Sequence, residues 1–107
     1  MEDCAHGVAA HAVREELQRI LASADFDASE RNRHFLRHVV EETLAGRSDR
    51  IKAYSIATSV FGRDASFDPQ LDSIVRIEAG RLRRALERYY LTAGKVDAVR
   101  ITSPRGG

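Results

Sequence analysis

Apolar residues recur at three- and four-residue intervals along most of this chain, the period of helices with one buried face. Over 8–24 the stripe is Val13, Leu17, Ile20, Leu21 and Ala24, with Arg14, Glu15, Gln18 and Arg19 elsewhere on the wheel. Residues 25–29 interrupt that period. Ser29 followed by Glu30 is suited to cap a second helix running to about residue 45, with Phe35, Leu36, Val39, Val40, Thr43 and Leu44 inward and Gly46 as its stop. A third, shorter helix is predicted over about 50–61, with Ser48 and Asp49 as cap candidates. Its inward residues are Ala53, Tyr54, Ala57, Val60 and Phe61, and Gly62 ends it. Residues 63–71, with Asp64, Ser66, Asp68 and Pro69, predict a structured loop.

A fourth helix begins near Asp72 or Ser73 and continues to about Thr92, with Gly94 behind it. At about 1.5 Å per residue it is roughly 30 Å long. Residues 98–102 alternate Val99 and Ile101 with Arg100 and Thr102, which predicts a short strand, and 103–107 read as a turn. Residues 1–7 are expected to form a flexible start and 8–107 a single domain.

The length of 107 residues fits one core, and a hydrophobic fraction of 43% argues against a mostly disordered chain. No apolar run approaches the roughly 18 residues that cross a bilayer, and no apolar block follows the start, so no membrane partner and no secretory signal are expected. The single cysteine, Cys4, excludes an internal disulfide framework and fits a cytoplasmic location.

The net charge of +1 conceals a division. Residues 1–75 hold 9 basic against 13 acidic residues, a net of −4; residues 76–107 hold 8 against 3, a net of +5. That split predicts a polyanion-binding face in the last third of the chain. Of the 17 basic residues only Lys52 and Lys95 are lysine. Arginine suits bidentate contacts to phosphate and guanine, although a GC-rich genome also enriches it.

On a wheel of the fourth helix, Val75, Ala79, Leu82, Leu86, Tyr89 and Tyr90 fall within about 60° of one direction and predict the core face. Arg76, Ile77, Gly80, Arg81, Arg84 and Arg88 lie opposite, with Arg83 at the boundary. Most charged outer faces are simply solvated. Here only Glu78 and Glu87 offset five arginines, and Ile77 points outward, which together favour a helix laid in the major groove.

The run Asp72-Ser73-Ile74-Val75-Arg76-Ile77-Glu78-Ala79-Gly80-Arg81-Leu82-Arg83-Arg84-Ala85-Leu86, followed by Val99-Arg100-Ile101-Thr102-Ser103-Pro104-Arg105-Gly106-Gly107, resembles the C-terminal half of the OmpR/PhoB-type effector domain. Val60-Phe61-Gly62 matches that family's usual end to its second helix, and 35–107 is similar to a winged-helix module found at the N-terminus of bacterial signalling proteins with cyclase, kinase or tetratricopeptide partners. The resemblance implies a mainly α, winged helix-turn-helix fold of about four helices with a short C-terminal β-hairpin wing. It also implies a recognition helix over 73–91 and a wing over 99–107, with Arg105 at the adjacent minor groove. The family's N-terminal sheet has no counterpart; an extra helix over 8–24 takes its place.

The helical wheel and the resemblance together imply a DNA-binding transcriptional regulator whose contacts are Arg76, Ile77, Gly80, Arg81, Arg83, Arg84 and Arg88, with Arg105 added by the resemblance. Truncating Arg81 or Arg84 is expected to weaken duplex binding without lowering stability. The alternative is a protein-interaction module docking on RNA polymerase or a signalling partner through the same helix. Because one small module buries only about 600–1,000 Å² on DNA, a homodimer through the N-terminal helix is the expected assembly; the same apolar stripe could instead be covered within the chain. His34 and His38 have metal-binding spacing but lack an evident third ligand, so no metal or cofactor is expected. Nor is there a phosphate loop, nucleophile elbow or catalytic triad, so no enzyme is expected.

Overall fold

Four helices follow one another along the described chain: α1 (Ala10–Ala22), α2 (Glu30–Leu44), α3 (Ala53–Ser59) and α4 (Ile74–Leu91). The structure is a computed structural model and describes residues 9–47 and 51–101. All four sit within the predicted helical segments. The expected Ser48 and Asp49 caps and the start at 1–7 lie outside the described residues.

Local chemistry sets the ends of α2. Ser29 Oγ accepts the Asn32 N–H at 3.1 Å, with Glu30 in the first turn, where the helix dipole favours an anion. At the other end Gly46 takes φ +79°, a left-handed conformation that costs a side-chain-bearing residue energy. That turn lets Gly46 N–H reach Thr43 O at 3.1 Å and Arg47 N–H reach Glu42 O at 2.9 Å, which satisfies two carbonyls of the last turn. Arg47 also forks onto the Glu42 carboxylate at 3.0 and 2.7 Å.

No described residue lies in a strand, which overturns the expected winged helix-turn-helix with its β-hairpin wing. Residues 98–101 are bends and irregular chain. The alternation of Val99 and Ile101 produces half-burial, not pairing, because a strand needs a partner ladder to satisfy its backbone. Instead the Ile101 N–H donates to the Tyr90 hydroxyl at 2.8 Å, and the Arg100 guanidinium lies 4.9 Å from the centre of the Tyr90 ring. The remainder of the expected wing, including Arg105, lies outside the described residues.

The chain divides into two compact units. One comprises Ala28–Leu82, with Phe35, Leu36, Val40, Ile56, Ala57, Phe61 and Leu82 as its buried apolar residues. Phe35 and Phe61 meet edge to face at 5.4 Å. Tyr54, predicted inward, is exposed, and its hydroxyl donates to Ala65 O at 3.3 Å; Ile56 holds the buried place. The other unit comprises the described residues up to Asp27 and from Arg83 onward, with Leu17, Ile20, Phe26, Ala85, Leu86, Tyr89 and Tyr90 buried. Phe26, in the segment that breaks the helical period, is fully buried. Among the described residues no helix is long and apolar enough to cross a membrane.

Candidate nucleic-acid interface

The start of α4 is fixed by Asp72. Its carboxylate accepts the Ile74 N–H at 3.0 Å and the Arg63 Nε at 2.8 Å, so a helix-capping contact and an ion pair share one side chain. The Arg63 guanidinium and that backbone bond together hold the Asp72 carboxyl below the usual carboxylate range.

From there the helical period distributes the predicted residues. Glu78, Leu82, Ala85, Leu86, Tyr89 and Tyr90 are buried, while Val75 and Ala79 are half-buried. The buried face is therefore turned about 30° from the predicted one, toward Glu78 and Ala85. Arg76, Ile77, Arg81, Arg84 and Arg88 are exposed; Gly80 and Arg83 are half-buried. Ile77, Arg81, Arg84 and Arg88 stand at i, i+4, i+7 and i+11, a stripe within about 60° of arc that runs roughly 16 Å along the axis. Arg76 and Arg83 lie on one flank of it, beside Gly80 and Glu87.

Glu78 does not offset these cations on the surface as the sequence suggested. Its side chain is buried, the residue retaining 1% exposure. Asn32 Nδ2 donates to the Glu78 carbonyl at 2.9 Å and to its Oε1 at 3.1 Å, and both partners are acceptors, which fixes the amide orientation. Arg81 Nη1 donates to Oε2 at 3.0 Å from a side chain that stays 62% exposed. A buried carboxylate is tolerated because a cation and an amide hold it. Arg81 is therefore both a surface cation and the partner of a buried carboxylate. Arg76, Arg83, Arg84 and Arg88 make no ion pair with a described residue.

A second buried carboxylate anchors the far end of α4. Glu16 has 0% exposure; the Tyr90 hydroxyl donates to its Oε2 at 2.6 Å and Arg19 Nε to its Oε1 at 3.0 Å. Burial pushes the Glu16 carboxyl above its ordinary value, against the opposing pull of the Tyr90 hydrogen bond. Tyr89 donates to Asp97 at 2.7 Å, which lowers that carboxyl and, together with burial, raises the phenol. Gly94 lies close beside it, and a Cβ there would press on the Tyr89 ring.

Leu17 and Ile20 of α1 are buried, while Val13 and Leu21 of the same stripe are half-buried. Among the described residues no group of three histidine, cysteine or carboxylate side chains converges as a metal site would require. Comparison with known protein families, curated proteins and solved structures finds no match to this chain.

Proposed function

We propose that this chain binds double-stranded DNA through the exposed face of α4 laid in the major groove, and acts as a small transcriptional regulator. One observation carries the reading. Arg76, Arg81, Arg84 and Arg88 are exposed on a helix whose only exposed acid is Glu87, because Glu78 is turned inside. The major groove, about 12 Å wide, admits an α-helix, and guanidinium forks match guanine O6/N7 or phosphate oxygens. Gly80 presents no side chain beside the stripe, which favours close approach. Arg84 and Arg88 are the central contacts, with Arg76 and Arg83 reaching phosphates on the flank. Arg81, engaged by Glu78 through Nη1, contributes its remaining N–H groups.

Ile77 at 47% and Leu91 at 77% exposure favour a second reading, docking on RNA polymerase or a signalling protein, because apolar residues beside arginine also mark protein interfaces. Gel shifts on random-sequence duplexes separate the two. Under the DNA reading Arg84→Ala and Arg88→Ala each weaken binding, whereas Lys95→Ala, an exposed cation beyond the helix, does not. Equal affinity of all three variants and the parent would contradict it.

A further inference from the structure

We infer that Ile77 is a specificity-determining residue that reads the 5-methyl group of thymine beside the guanine and phosphate contacts of its arginine neighbours. The inference rests on the DNA-binding reading and adds to it the kind of sequence recognised. Ile77 leaves almost half its surface in water on the stripe it shares with Arg81, Arg84 and Arg88. Its burial is not needed for the helix, whose core side is filled by Leu82, Ala85, Leu86, Tyr89 and Tyr90. An apolar side chain amid cations gains nothing from phosphate. In the major groove, its one chemical complement on a base edge is the thymine methyl, which no other standard DNA base carries.

Arg81 lies about 6 Å from Ile77 along the axis and Arg84 about 10 Å. Because a helix in the major groove runs obliquely to the DNA axis, the thymine should fall within a few base pairs of a guanine contacted by either arginine. The same contact discriminates against double-stranded RNA, which lacks the methyl group and whose deep, narrow major groove excludes side chains.

The test begins with duplexes selected from a random library by the full chain. In the best-bound duplex each thymine is replaced in turn by deoxyuridine, which removes the methyl group alone. One or two positions should then bind about three- to fivefold more weakly, the effect of withdrawing one methyl group from an apolar contact. Ile77→Ala should lose that sensitivity and Ile77→Val keep part of it, with a circular-dichroism melt showing both variants folded. Indifference of the parent to every replacement, or undiminished sensitivity in Ile77→Ala, overturns the assignment while leaving salt-dependent duplex binding intact. Failure to bind any duplex overturns both this inference and the reading beneath it.

Discussion

Arg81→Ala and Arg84→Ala remove the same charge from the same helix face, yet the structure separates them. Arg81 supplies the cation that holds Glu78 at 3.0 Å, and Glu78 is buried with only Asn32 Nδ2 as its other side-chain partner among the hydrogen bonds described. Deleting one partner of a fully buried pair costs about 3–5 kcal/mol. Arg81 itself is 62% exposed, so water screens the pair and reaches one side of the orphaned carboxylate. Discounting for that screening leaves about 1–2 kcal/mol. Arg84 is exposed without an ion pair to a described residue, so its truncation should stay within about 0.5 kcal/mol of the parent. Urea titration followed by far-ultraviolet circular dichroism measures both, and duplex titration of the same samples should show each losing about 1–3 kcal/mol of binding. An Arg81→Ala midpoint equal to that of Arg84→Ala would refute the account of the Glu78 site.

Tyr90→Phe deletes a hydroxyl that serves Glu16 and Ile101 together, and thermal melting should report a loss of about 1.5–3 kcal/mol; an unchanged midpoint would contradict the buried hydrogen bond. Gly94→Ala should cost about 1–3 kcal/mol because the Tyr89 ring must shift, and an unperturbed tyrosine near-ultraviolet signal would argue otherwise. For Glu16 the pH effect has a definite sign. Its folded pKa is raised, so its protonated form stabilises the fold below the ordinary carboxylate range, and that stability fades as pH rises through the folded value. The stability of Glu16→Gln relative to the parent should therefore increase as pH rises above the ordinary carboxylate range, and a difference constant with pH would refute this.

The helices were legible because their determinants are local. Ser29 caps α2 and Gly46 ends it through contacts within a few residues. The misses involve long-range chemistry. Phe26 sits where the helical period breaks, so periodicity does not mark it as buried. Of the strand expected over 98–102, the described residues 98–101 have the right alternation but no ladder with any described residue; Tyr90, eleven residues before Ile101, takes its amide instead. The two buried carboxylates escaped notice because polar residues are ordinarily assigned outward. A shared signal was nevertheless present: Glu16-Leu17-Gln18-Arg19-Ile20 and Glu78-Ala79-Gly80-Arg81-Leu82 both read Glu, apolar, any, Arg, apolar. At helical spacing that pattern puts the carboxylate at the margin of the buried stripe and the arginine one turn on, outside it. On the candidate site, Ile77 and the exposed arginines were readable from the wheel, whereas the double duty of Arg81 depends on Asn32, forty-six residues from Glu78.

The most direct measurement is the affinity of the full chain for duplex DNA over a range of salt concentrations, alongside Arg76→Ala and Arg83→Ala, the arginines that reach phosphate in this account. Release of counterions predicts a linear fall of log affinity with log salt whose slope reports several phosphates and shrinks by up to about one when an arginine that contacts phosphate is removed. A slope near zero, or one identical in all three proteins, would contradict a DNA-binding face on α4.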